Sequence, residues 1–225
     1  MPDFSNLIWQ SLSGTQAPLT LGNANARRFA PSYPPMFGFA DPANPDIEVL
    51  REHCTAGDVL WCSEWRGPVT EGWTVEIEGS MFAMVWQAPE PHVDEDMPVR
   101  RLGPAHVDEM VALAALAKPG PFASQPMAMG EWHGIVEDGQ LVAMAGERLQ
   151  AGALREVSGV CTLPSHRGRG YARCLMETVV RSQLRRGLTP FLHVSATNVQ
   201  AIELYSRMGF VKVHEAAMRV VRFDG

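Results

Sequence analysis

Between a β-patterned run ending at Pro164 and an amphipathic helix lies Arg167-Gly168-Arg169-Gly170-Tyr171-Ala172, and no other stretch restricts this chain's fold as strongly. Two glycines let the backbone approach a ligand closely, and the unpaired N–H groups of the following helical turn point outward at the positive end of its dipole. Such a turn is either a cradle for a phosphate-like anion or a tight connection. Its flanks are well bounded: Arg155–Leu163 reads as a strand, while Ala172, Leu175, Met176 and Val179 form a helical stripe. Arg185-Arg186 falls in the last turn of that helix and Gly187 just beyond it. The turn is not a P-loop, because no Lys follows the glycines and the chain's lysines are Lys118 and Lys212. Nor is it a dinucleotide fingerprint, because Arg173 stands where the third glycine is required. ATP or GTP hydrolysis and nicotinamide binding are therefore excluded.

The pattern around this segment predicts a mixed α/β domain from residue 97 onward. Pro98–Leu102 reads as a short strand, and Ala105–Lys118 as a helix with Val107, Met110, Val111, Ala114 and Ala117 on its apolar stripe, stopped by Pro119-Gly120. Residues 119–130 form a long loop, either a lid or binding loop or a plain connection. Glu131–Val136 and Leu141–Leu149 are antiparallel strands joined at Asp138-Gly139. Pro190–Ser195 is a strand, Asn198–Met208 a helix, and Phe210–Phe223 one or two final strands. Residues 1–96 hold 10 of the 17 prolines and five of the six tryptophans, and show less pattern. There, Thr74–Glu78 and Met81–Trp86 read as two strands about a turn at Gly79-Ser80, and Asp46–His53 as a short helix. Pro31–Pro45 and Ala88–Asp96 read as loop or linker, which places a boundary near residue 97.

The formal charge of −6 divides unevenly: residues 1–96 carry 4 Arg against 14 Asp or Glu, and residues 97–225 carry 15 basic against 11 acidic groups. Overall acidity argues against nonspecific nucleic-acid binding, whereas the basic second half suits a discrete anionic ligand. The longest apolar run, Met110–Ala117, is too short to span a bilayer, and the first residues lack a basic signal-peptide region, so neither membrane nor secretion is expected. Cys54, Cys62, Cys161 and Cys174 show no paired spacing, which points to a reducing compartment, the cytoplasm. No His, Cys and carboxylate spacing suggests a metal. An Arg to Lys ratio of 17 to 2 suggests a bacterial genome rich in G and C.

Arg167-Gly-Arg-Gly-Tyr-Ala172, after a strand and before a helix, resembles the pyrophosphate signature Arg/Gln-x-x-Gly-x-Gly/Ala of the GNAT superfamily of acyl-CoA-dependent N-acyltransferases. A second stretch, Asn198-x-x-Ala201-x-x-x-Tyr205-x-x-x-Gly209-Phe210, is similar to that superfamily's downstream signature. The resemblance covers about residues 98–220. It implies an α+β fold with a mixed, mostly antiparallel central sheet, flanked by helices and splayed where the cofactor strand meets the next. It does not explain residues 1–96, which precede it as a smaller α/β region, either a degenerate half-domain or lid closing the acceptor site or a separate interaction domain.

The resemblance further implies acetyl-CoA as co-substrate, without a metal, and transfer of the acetyl group to a primary amine by direct attack. The backbone of Val160, Cys161 and Thr162 would meet the pantetheine arm. Arg167, Gly168, Arg169, Gly170, Tyr171 and Ala172 would hold the pyrophosphate, and Asn198 would cap its helix and touch a pantetheine amide. Tyr205 would protonate the leaving thiolate. Glu156 would be the base, unless it is spent in an ion pair with Arg148 or Arg155, with Glu147 and then Glu131 as alternates. Strand alternation predicts Glu156, Ser158, Val160 and Thr162 on one side. His193 would be core or would line the acceptor site. A non-catalytic acyl-CoA-binding or regulatory module is the rival reading. The acceptor, a small-molecule or peptide amine, is not identified by the sequence, and a homodimer through the C-terminal strands is compatible with it.

Overall fold

The computed structural model describes residues 2–225. Helix α1 (Leu7–Ser13) is followed by three short strands, β1 (Thr20–Gly22), β2 (Ala26–Phe29) and β3 (Phe37–Phe39), which form a small antiparallel sheet. Strands β4 (Val59–Ser63) and β5 (Trp73–Trp86) come next, and then β6 (Val99–Arg101) and α2 (Val107–Ala117). The remainder runs β7 (Trp132–Glu137), β8 (Gln140–Ala151), β9 (Leu154–Thr162), α3 (Tyr171–Arg185), β10 (Thr189–Ser195), α4 (Val199–Met208) and β11 (Phe210–Phe223). Eight strands make one sheet in the order β4-β11-β5-β10-β9-β8-β7-β6, and among the described residues its only parallel neighbours are β9 and β10. This is the mixed, mostly antiparallel sheet expected. The boundary expected near residue 97 falls between β5 and β6, both members of that sheet.

Helices cover the sheet on both faces, which is why β8 is buried almost continuously rather than alternately. Met110 and Leu113 of α2 and Leu175, Met176, Val179 and Val180 of α3 pack with Ala143, Met144, Val157 and Leu192. A second cluster joins Leu7, Ile8 and Leu12 of α1 to Ala83, Leu149, Leu154 and Phe191. Burying such side chains contributes roughly 1.5–3 kcal/mol each. Among the described residues no helix is long and apolar enough to cross a membrane.

Several expectations change. Gly79 and Ser80 make no turn: β5 runs straight through them, opposite Met218 and Ala217 of β11. The change from an alternating to an apolar pattern marks a change of neighbours. Residues 73–80 pair with β11 alone and are largely exposed, whereas Met81–Val85 lie between β11 and β10. The Pro-rich segment holds the buried strand β3, and α1, β1, β2 and β4 are elements that the local pattern does not signal. In α2 the buried stripe is Met110, Leu113 and Ala114, while Val111 faces solvent. The C-terminal segment is a single strand, and over Met218–Arg222 it is paired on both sides, by β4 and β5. A homodimer formed by edge pairing has no free edge on that stretch.

A chain beginning at Met97 would lack the strand that separates β10 from β11. It should be insoluble or non-cooperative in urea unfolding followed by circular dichroism, and a soluble, cooperatively folding fragment would contradict this.

Candidate active site

Strands β9 and β10 stay paired only from Thr189↔Leu154 to Phe191↔Glu156, after which β10 continues along β5 and β9 along β8. A wedge opens there. Its β9 wall carries a bulge: Ser158 and Cys161 stand opposite Gly146 and Met144, so β9 has one residue more. Gly159 occupies the bulge at φ 63°, and a Cβ there would lie 2.4 Å from the Trp132 ring. Trp132 is fixed by donating its indole N–H to the Pro126 carbonyl at 2.8 Å. The expected strict alternation from Glu156 to Thr162 is therefore broken by the extra residue.

Glu156, the last β9 residue paired with β10, is fully buried. Arg148 Nε and Nη2 donate to its two oxygens at 2.8 and 2.7 Å, and His193 Nδ1 lies 2.8 Å from Oε1. The Leu149 amide donates to Oε2 at 3.2 Å, which a second bulge permits: Glu147 and Gln150 on β8 oppose Val157 and Arg155 on β9. Burial pushes the Glu156 pKa up, but the Arg148 charge and bonds, followed by the His193 contacts, outweigh it and hold the carboxyl far below its ordinary range. The ion pair with Arg148, one of the sequence alternatives, is formed. A carboxylate so engaged is a weak proton acceptor but a strong orienting group, and in the neutral imidazole a proton held on Nδ1 by this carboxylate puts the lone pair on Nε2.

Two cavities share the walls Pro119, Arg148, His193 and Tyr205. The smaller, about 70 Å³, follows β9 from Glu156 to Val160. The larger, about 280 Å³, is lined by Ser195 and Asn198 and by Ile8, Met36, Trp61, Cys62 and Met81 from the first half of the chain. None of those first-half residues is acidic. The Tyr205 hydroxyl has no hydrogen-bond partner among the described residues, and burial raises its pKa. Asn198 caps α4 by accepting from the Ala201 amide at 3.1 Å. Glu147 and Glu131, the alternate bases, line neither cavity. Glu147 is buried and bonded to Gln183, Arg186 and the Glu131 amide, and Glu131 accepts from Ser182 Oγ at 2.8 Å.

At the far end of β9, Gly168 and Gly170 have φ of 79° and 81°, and α3 starts without a side-chain cap, so its first amides remain open to an anion. Arg167 makes no ion pair among the described residues. Glu137 braces the turn from the β7–β8 hairpin, accepting from Arg169 at 3.0 Å and from the Tyr171 hydroxyl, with His166 at 3.4 Å. The Arg169 and Tyr171 side chains are thus engaged, leaving their backbone to face a ligand. Thr162 Oγ1 is buried without a partner, and burial pushes the Cys161 thiol up to about 12, so it stays a neutral thiol. His166 belongs to this brace rather than to the wedge.

Sequence reasoning did not foresee that His193 would stand against Glu156, nor the roles of Trp132 and Glu137. Arg148 was named only as an ion-pair partner. The first-half residues of the larger cavity carry no sequence signal.

Replacing Glu156 by Gln should destabilise the fold by about 3–5 kcal/mol, because Arg148 would be left buried and unpaired. Since folding depresses this pKa, the stabilisation is complete above the unfolded value near 4.3 and is lost as pH falls below it. Urea unfolding of both proteins from pH 7 to pH 3 should show a gap that narrows with acid, and a constant gap would contradict the assignment.

The FR47-like protein family matches residues 132–220, from β7 into β11. No curated protein matches the sequence. A crystal structure described as a GNAT-family acetyltransferase from Novosphingobium aromaticivorans is 34% identical, with a TM-score of 0.88 over 98% of both chains. At 19% identity, a GCN5-related N-acetyltransferase from Kribbella flavida shares the fold, with a TM-score of 0.61 over 98% of this chain and 96% of its own. The GCN5-related N-acetyltransferase-like protein from Streptococcus suis, 16% identical, matches with a TM-score of 0.59 over 97% and 94%. The fold is one that supports acyl transfer, and with a relative this similar along nearly its whole length, the chain belongs to the GNAT family.

Proposed function

We propose that this protein transfers an acetyl group from acetyl-CoA directly to a primary amine, with His193 as base and Tyr205 as acid. One observation carries this reading: the cavity along β9 and the larger cavity beyond it meet at His193 and Tyr205. A donor on one side and an acceptor on the other would have the two proton-transfer groups between them. Acetyl-CoA supplies the activated acyl group. The cradle suits its pyrophosphate, because Gly168 and Gly170 hold a backbone that few other residues adopt, and the unpaired Arg167 adds a cation. Val160, Cys161 and Thr162 would bind the pantetheine arm through their backbone. Asn198, which lines the larger cavity and not the one along β9, would reach the arm where the two cavities share the Tyr205 wall.

An alkylammonium with a pKa near 10 is mostly protonated at neutral pH and must lose a proton before it attacks. His193 Nε2 would take that proton while Glu156 holds the ring through Nδ1 and balances the imidazolium charge. Glu156 thus acts as a positioning residue rather than as the base itself. A backbone N–H of the bulge near Val160 would donate to the acyl oxygen as the amine attacks. Tyr205, kept protonated by burial, would give its proton to the departing sulfur.

Calorimetric titration should show acetyl-CoA binding, no ATP binding, and no acetyl-CoA binding to Gly170→Glu. Tyr205→Phe should lower turnover by about 100-fold or more with acetyl-CoA affinity nearly intact. The deficit of His193→Gln should shrink as pH approaches the amine pKa, where free amine forms unaided. A folded protein that fails to bind acetyl-CoA would overturn the proposal, and one that binds it yet acetylates no amine would be an acyl-CoA-binding module.

A further inference from the structure

The larger cavity has an unusual charge balance for an enzyme of amines. Its lining holds two side chains with a permanent positive charge, Lys118 and Arg148, and no carboxylate. Arg148 is spent on the buried Glu156. Lys118, exposed at the mouth of the cavity, has no ion pair among the described residues, so its positive charge there is uncompensated. The strongly acidic first half of the chain places no carboxylate on this wall, to which it contributes Ile8, Met36, Trp61, Cys62 and Met81.

The backbone at Lys118 is a second, independent peculiarity. It ends α2 in the left-handed conformation, φ 51° and ψ 59°, with its amide on the Ala114 carbonyl at 2.8 Å. Glycine, or failing that asparagine, usually takes this place, since a side chain there is strained. Of the four non-glycine residues with positive φ, Asn6 and Asp138 are types that tolerate it, whereas Glu64 and Lys118 are not, and of these two Glu64 is held by His214 while Lys118 lines the cavity. A strained position occupied by a cation at the mouth of a cavity points to a function for that cation.

We infer that the acceptor is an apolar amino acid, whose carboxylate is held by Lys118 while its side chain lies against the Trp61, Met36 and Met81 wall. The inference rests on the proposed reading of this cavity as the acceptor side. A volume of about 280 Å³ is near the lower end for ligand sites and suits one such molecule. A polyamine would bring several charges to a wall with no counter-charge. Removing the carboxylate would leave Lys118 without its partner and sacrifice a charge-assisted contact.

The full-length protein with saturating acetyl-CoA should be assayed for CoA release with leucine against 3-methylbutylamine, phenylalanine against phenethylamine, and spermidine. Each carboxylated member should have the higher kcat/KM by about tenfold or more, the equivalent of one charge-assisted contact. Lys118→Gln should bring that ratio close to one through KM, and Lys118→Arg should preserve it. Lys118 is exposed, so both variants should fold. Decarboxylated amines or spermidine serving equally well, or a preference that survives Lys118→Gln, would overturn the inference. Calorimetric titration of leucine into the CoA-saturated protein separates it from the proposed reaction. Lys118-dependent binding without turnover with any amine would remove the transferase reading and keep the site. Absence of both leucine binding and leucine turnover would overturn the inference, while turnover of other amines would leave the transferase reading intact.

Discussion

A negative charge buried where two strands part company holds this site together. Glu156 is the last β9 residue in register with β10, and its carboxylate gathers Arg148 and the Leu149 amide from β8 and His193 from β10. Taking a carboxylate out of water costs several kcal/mol unless its lone pairs are satisfied, so the three strands are constrained to the geometry that satisfies them. That constraint fixes the vertex of the wedge. Beyond it each strand follows a different neighbour, and the gap between them is a consequence of pairing rather than of missing residues.

The first half of the chain is built into this arrangement. The β8 bulge that frees the Leu149 amide also frees that of Gln150, which donates to Ser11 Oγ at 3.0 Å and to Gln16 Oε1 at 3.2 Å. Gln16 returns a bond at 2.8 Å to the Arg148 carbonyl. The segment following α1 therefore clamps the backbone of the residue that pairs with Glu156. The same half supplies β5, on which β10 lies after leaving β9, and much of the larger cavity's wall.

Legibility in the sequence followed the range of the forces involved. The β7–β8 hairpin, α3 and the glycine turn are specified by neighbouring residues, and so their patterns predicted them. Strands β1 to β4 are three to five residues long and gain their stability from distant partners, such as Phe37 and Phe39 against Trp65, which no local period records. At the site, Tyr205 and Asn198 were legible because they lie on one face of one helix. The pairing of His193 with Glu156 was not, since it joins residues 37 positions apart across the parallel pair β9 and β10. The bulges escaped notice for the opposite reason: an extra residue leaves composition and alternation almost unchanged while it turns every later side chain.

The Trp132 indole fills the space that side chains at both Gly146 and Gly159 would otherwise occupy, since a Cβ at the first would lie 2.3 Å from its ring and at the second 2.4 Å. Three positions on three adjacent strands are thus one unit of inheritance. An alanine at either glycine is admissible only in a descendant whose indole has already been exchanged for something smaller. Even that exchange leaves a left-handed backbone to be reconciled at position 159 and, at position 146, the Glu131 carbonyl oxygen 2.7 Å from the new Cβ. The curvature of the β9 wall of the wedge should therefore drift slowly as such sequences diverge.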